Sequence, residues 1–293
     1  MGSFKENLEN QRQRFIEIFN DTIKSCEKEE ELKDSIHNTI NNTVIYQYDP
    51  TLIQTSKTGI NLNNISVTKN RTFEAAMNLH KNYPLLKIAV LNFASATNPG
   101  GGVLKGSSAQ EECLCRASTL YPCLIEDKPL KEYYVKNRSA RNPLHSDTIV
   151  YTPGIIVFKT DDKDYSLLNQ KNWTKVDVIT CAAPNLRENP NNSFNHEGSD
   201  AVSVSDQELY AIHLQRALHI LQRAHENKVQ ILVLGAFGCG AFRNDPKIVA
   251  EAYYDALNKF GDHFVKVEFA VYCSPKDTTN YEVFKKRFNE RKE

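Results

Sequence analysis

Residues 92–116 read NFASATNPGGGVLKGSSAQEECLCR, and the reading of this stretch decides the fold. It begins at the end of an apolar run, LKIAVLNF over 86–93, which reads as a buried strand. It then crosses a triple glycine, Gly100-Gly101-Gly102, and enters a helix expected from about 109 to 120. A strand, a glycine loop at its C-terminal end and a helix behind it form one step of an alternating α/β chain. Glycines there remove side chains, so backbone N–H groups can approach a phosphate-bearing ligand closely. Two adjacent carboxylates, Glu111 and Glu112, then open the helix. Carboxylates are the residue type that acid/base work on a glycosidic bond needs. A phosphate cradle leading into paired carboxylates points to an enzyme that cuts a sugar linkage on a nucleotide.

Outward from this stretch, strands and helices alternate. Residues 4–35 are charge-rich, with apolar Phe15, Ile16, Ile18 and Phe19, and predict one or two surface helices. Ile65 and Val67 suggest a short strand, and 71–83 a helix that stops before Pro84. Two short β-rich runs occupy 145–159, broken by Pro153-Gly154, and 176–181 is a further strand. A long polar loop over 184–205 precedes an amphipathic helix at 206–227. The rest reads as a strand at 229–234 ending on Gly235, a helix at 245–260, a strand at 265–272 and a helix at 277–291. Strands rich in β-branched residues on both faces, interleaved with helices, imply a sheet covered on each side. The expected architecture is a three-layer α/β/α sandwich with a mixed central sheet. Ligands in such sheets sit beyond the carboxyl ends of the strands, where both glycine loops fall.

Composition narrows the classes of function. Lys plus Arg equals Asp plus Glu at 36 each, which argues against broad attraction to nucleic acid or an anionic membrane. Neither sequence-specific nucleic-acid binding nor membrane association is expected. No apolar run approaches the roughly 18 residues of a spanning helix. The polar N-terminus lacks an apolar secretion region, so a cytoplasmic location is expected, or a nuclear one in a eukaryote. Seven cysteines, an odd number, read as free thiols in a reducing compartment. The Asn-x-Ser/Thr matches at Asn41 and Asn64 are then incidental. Cys113-x-Cys115 has no following His/Cys pair at ligand spacing, and no metal site is assigned.

Each chemistry-bearing motif has a plainer reading. Three consecutive glycines could form a mere turn, yet turns rarely need so many. Acidic residues in a first helical turn can serve the helix dipole. Here they follow the glycine loop and precede a mostly uncharged segment, so desolvation would raise a cleft-facing carboxyl pKa. The second glycine loop, GAFGCGAF over 235–242, could surround a diphosphate, with Phe237 or Phe242 packing on ribose or base. Cys239 has no evident His partner for thiol catalysis. For the AAPN run at 182–185, cleft lining and a simple turn both stay open. Trp173, His213 and His219 read as packing or surface residues. Arg187 and Arg243 read as solvated charges within reach of a phosphate.

The GGG, seven intervening residues and QEE resemble the signature of the poly(ADP-ribose) glycohydrolases, a catalytic branch of the macrodomain fold. The wider pattern VLNFASATNPGGG…AQEECLCRASTLY…YTPGIIVF…VITCAAPN…LVLGAFGCGAFRNDP is similar to the bacterial-type members over roughly 60–275. The resemblance implies a macrodomain-like catalytic domain at 61–293 behind a helical accessory segment at 1–60. It implies Glu112 as catalytic acid/base, with Glu111 and Gln110 orienting the ligand and its ribose hydroxyls. Gly100, Gly101, Gly102 and Val103 would form the first phosphate-side loop. Gly238, Cys239, Gly240 and Ala241 would wrap the diphosphate, beside Phe237 and Phe242. Asn98 is the candidate for an asparagine that positions substrate. The acidic residue by which many macrodomains contact adenine has no counterpart near 65–71. The implied reaction is hydrolysis of the ribose–ribose bond of poly(ADP-ribose), releasing ADP-ribose without a cofactor. Removal of single ADP-ribose units from proteins or nucleic acid, and binding of ADP-ribose without cleavage, are the alternatives.

Overall fold

The computed structural model describes residues 2–52, 59, 61–190, 201–274 and 276–289. Its strands are β1 (Val44–Tyr46), β2 (Ile65–Thr68), β3 (Ile88–Phe93), β4 (Ile149–Val157), β5 (Thr174–Cys181), β6 (Ile231–Leu234) and β7 (Lys266–Ala270). They form one sheet in the order β1-β4-β5-β3-β6-β7-β2. From β5 to β2 every neighbouring pair is parallel, while β4 and β1 add on antiparallel. The sheet is therefore mixed, as the sequence predicts.

The helices are α1 (Gly2–Lys28), α2 (Glu30–Asn42), α3 (Thr72–Asn82), α4 (Gln110–Ala117), α5 (Leu120–Leu124), α6 (Asp127–Pro129), α7 (Val135–Ala140), α8 (Asp206–Glu226), α9 (Pro246–Phe260) and α10 (Thr279–Asn289). Central strand β3 shows how they sort. Its Ile88 and Val90 join a core with α1, α3, α4 and α5. Its Ala89 and Leu91 join the opposite core with α8, α9 and α10. Alternation with both faces apolar forces a helical layer on each side, giving the three-layer sandwich.

Four local expectations need correction. The helix after the triple glycine ends at Ala117, where the Ala117 carbonyl accepts from the N–H groups of Phe158 and Lys159. Ser118 then bridges to Val157, and α5 starts afresh. The two runs at 145–159 are one strand, because Pro153 and Gly154 sit in a register shift where proline's missing N–H costs no ladder bond. Edge strand β1 has no sequence counterpart among the predicted strands.

Finally, the N-terminal helices are not merely superficial. Phe15 and Phe19 of α1 are buried in the core that holds α4. Thr22 Oγ1 donates to the Arg116 carbonyl at 2.6 Å, and buried Lys159 pairs with Asp21 at 2.7 Å. Part of the polar loop expected at 184–205, residues 191–200, lies outside the described residues.

Candidate active site

A cleft of about 700 Å³ opens at the carboxyl ends of the parallel strands. Phe93 ends β3 and Ser95 follows it, Ala183 follows β5, Ala236 follows β6, Val271 and Tyr272 follow β7, and all line it. Placing the site there follows from the winding of the sheet: loops that leave neighbouring parallel strands for opposite helical layers part and leave a crevice.

The carboxylates sit at its base. Glu111 and Glu112 are only 2% and 7% exposed, although both line the cleft. The first glycine loop holds them. Gly102 N–H donates to Glu112 Oε1 at 2.8 Å, whereas buried Glu112 Oε2 has no partner. Ser95 N–H donates to Glu111 Oε2 at 2.7 Å, and Asn92 Nδ2 to Glu111 Oε1 at 3.2 Å. Both carboxylates converge on Gly101, whose φ of +59° lies in the left-handed region. A Cβ there would stand 2.5 Å from Glu112 Oε1 and 3.1 Å from Glu111 Oε2. Only glycine lets the loop close over the pair.

Burial sets their protonation. Desolvation pushes Glu111 up to about 8, against the Ser95 N–H, which favours the charged form; the neighbouring Glu112 charge adds to the rise. Desolvation likewise raises Glu112 from its ordinary range, opposed by the Gly102 N–H and by the Arg116 charge. Arg116, one turn on, is fully buried, donates to the Ser107 carbonyl at 2.7 Å and lies over the Phe15 ring at 4.5 Å.

Across the cleft runs the second glycine loop. Asn244 Nδ2 donates to the carbonyls of Pro184, Gly238 and Phe242 at 2.7, 3.2 and 3.1 Å, fixing the loop's curvature. Its Oδ1 meets His213 Nε2 at 2.7 Å from behind. Gly238 (φ +79°) must lack a side chain, since a Cβ would lie 2.6 Å from that of Ala183. Among the described residues, the N–H groups of Gly240 and Ala241 find no acceptor in the protein. Unclaimed main-chain donors on a loop at strand ends form a concave site for an anion.

With this geometry in view, residues 13–160 match the family described as microbial-type PARG, catalytic domain. The structure is similar to poly(ADP-ribose) glycohydrolase from Thermomonospora curvata bound to the inhibitor ADP-HPD. That match has 30% identity over 94% of this chain and 99% of that one, with a TM-score of 0.77. It is also similar to the Deinococcus radiodurans enzyme in complex with ADP-ribose, at 31% identity over 86% and 96% of the two chains and a TM-score of 0.72. Among curated proteins none matches. The chain belongs to the microbial-type PARG family.

Of the residues that the PARG resemblance implies, the cleft gathers Glu111, Glu112, Gln110, Gly101, Gly102, Phe237, Gly238, Gly240, Ala241 and Phe242. Asn98, Gly100, Val103 and Cys239 stand behind its walls. Asn98 accepts from Gly101 N–H at 2.9 Å, shaping the turn. Gly100 packs on Tyr121, and Val103 is core. Gln110 spends its carboxamide inside the protein, on Phe93 N–H, the Leu91 carbonyl and Thr72 Oγ1. Phe237 is fully buried against Phe93, whereas Phe242 is half-exposed beside Arg187.

Residues absent from the sequence reading complete the PARG cleft. Asn92 and Asn244 brace the two loops; Arg71 lines the wall and lies over the Tyr272 ring at 4.3 Å. A lone asparagine in an apolar strand was the available signal for Asn92. Arg71 also faces Asp161, which burial pushes up to about 6.

Glu111 should make stability fall as pH rises. Its folded pKa of about 8 exceeds the ordinary 4.5, so the folded chain keeps a proton that the unfolded chain releases across this window. Stability from this group is then full below the lower value and is lost up to the higher, by at most about 1.4 kcal/mol per pH unit. Burial pushes His213 and His219 down to about 4, which tilts stability the opposite way, but equally in a Glu111→Gln variant. Urea unfolding across this pH range should therefore show wild type losing ground steadily to Glu111→Gln. Parallel curves would refute the protonated assignment.

Proposed function

We propose that this chain hydrolyses the ribose–ribose O-glycosidic bond of poly(ADP-ribose), releasing ADP-ribose, with Glu112 as general acid and base. The observation that carries the mechanism is the Glu112 carboxylate: one oxygen is tied to Gly102 N–H, and the other is buried, unpartnered and within the cleft residue set. Burial raises the pKa of this carboxyl and so favours the protonated form that a general acid delivers. The terminal ADP-ribose unit lies with its diphosphate on the N–H groups of Gly240 and Ala241 and its distal ribose at Glu112. Glu112 gives its proton to the departing hydroxyl oxygen as the C–O bond breaks and positive charge builds at the anomeric carbon. Water then adds to that carbon and returns a proton to Glu112. Glu111, held by Ser95 and Asn92, orients the ribose hydroxyls.

Residues 1–60 act as an accessory segment and 61–293 as the catalytic domain, with α1 lending a wall to the cleft. The test is a chain-length analysis of products from end-labelled polymer. Free ADP-ribose should accumulate with time. ADP-ribose binding without turnover of polymer or of mono-modified acceptors would convert the reading to a binding module.

A further inference from the structure

On the β7 side of the sheet the cleft is bounded by Arg71, Tyr272 and Asn280. Just outside its lining stand Lys69, one residue past the end of edge strand β2, and Tyr281, which follows Asn280 on α10. The Lys69 ammonium lies over the Tyr281 ring at 4.6 Å. That of Lys285, one turn further along α10, lies over the same ring at 5.6 Å. Both lysines are exposed. Among the described residues, neither ammonium pairs with a carboxylate. Helix α10 also carries Lys286 and Arg287 against a single acid, Glu282, and Arg287 is paired with Glu251. The chain is neutral as a whole, so this excess of positive charge is local.

We propose that Lys69 and Lys285, held on Tyr281, form an exosite for the diphosphate of a polymer unit next to the one in the cleft. The inference rests on the catalytic reading above, and the strand order gives its direction. The first glycine loop follows β3, the second follows β6, Tyr272 follows β7 and Lys69 follows β2, and these four strands adjoin in that order. A unit with its distal ribose at Glu112 and its diphosphate on the second loop therefore points its adenosine toward β7. A chain continuing past that adenosine meets Lys69 and Lys285 next. Its repeating anion is a diphosphate, and two ammonium groups over one ring give it paired cations, as in grooves that track a single-stranded backbone. Such a continuation exists only where the bound unit is internal. The exosite therefore favours cuts within long polymer, which release oligomers beside ADP-ribose.

The experiment compares the full chain with its Lys69→Glu/Lys285→Glu double variant and with Tyr281→Phe. Steady-state kcat/KM is measured on long poly(ADP-ribose) and on the two-unit oligomer over a range of salt, with the Kd for ADP-ribose alongside. Early products of the long polymer are resolved by length. Charge reversal should lower kcat/KM on long polymer by about tenfold, mainly through KM, and flatten its salt dependence. The early share of oligomers should fall with it. The two-unit oligomer, whose bound unit is terminal, and ADP-ribose should be handled as by wild type. Tyr281→Phe keeps a ring beneath both ammonium groups and should match wild type throughout. Equal losses on the two substrates, or no loss on either, overturn the exosite and leave the catalytic reading standing. So does a wild type that frees only ADP-ribose from long polymer. Wild type unable to cut either substrate overturns both.

Discussion

Replacing Glu112 by Gln is expected to lower turnover of poly(ADP-ribose) by about a thousandfold, within the range that a positioned general acid/base supplies. The amide keeps the shape of the carboxyl and can still accept from Gly102 N–H at the position where Oε1 lies 2.8 Å away. It cannot pass a proton to a departing oxygen or take one from water. Binding should survive, because the unclaimed main-chain donors of the second glycine loop are untouched. ADP-ribose titration should therefore give similar affinities for the two proteins while single-turnover cleavage separates them. Equal cleavage rates would remove Glu112 from the chemistry. A parallel collapse of binding and rate would make it a structural residue.

The second large effect is expected at Gly101. Alanine there must adopt a φ of +59°, and its methyl group would press 2.5 Å from Glu112 Oε1. The left-handed conformation alone costs roughly 1–2 kcal/mol. The larger consequence is geometric, since either the loop or the carboxylate must move. A displacement of about 1 Å at a reacting group can cost on the order of a hundredfold in rate. Gly101→Ala should thus lose activity far beyond its loss of stability, with kcat measured beside the thermal midpoint. A variant with wild-type kcat would show that Glu112 is not held against this loop.

The two carboxylates and both glycine loops were legible because they lie within short segments. Backbone freedom and charge at fixed spacing are local properties. What escaped depends on distant partners. The burial of Phe15 and Phe19 requires Arg116, Tyr121 and Tyr165, which arrive about 100 to 150 residues later. Without them the α1 face reads as surface. Strand β1 has three residues, too few for a periodic signal, and exists because β4 offers an edge. Pro153-Gly154 looks like a break until the Asp177 carboxylate is seen accepting from Gly154 N–H at 2.9 Å. Asn92 and Asn244 are single polar residues whose meaning lies wholly in the groups they reach.

Family membership and local chemistry also divide the labour differently along the chain. The family match ends at residue 160, so it covers the carboxylates but stops short of the second glycine loop. The assignment of that loop rests on its own geometry and on structural similarity that extends over 94% of the chain.

Asn244 carries a consequence for how this sequence can vary. Its single carboxamide bends a loop whose anion-facing groups are peptide N–H donors. Every amino-acid replacement except proline leaves the peptide N–H in place. Cys239 and Ala241 can therefore drift in identity with little cost to recognition, while a change at a buried asparagine that touches no ligand would unshape the whole cradle.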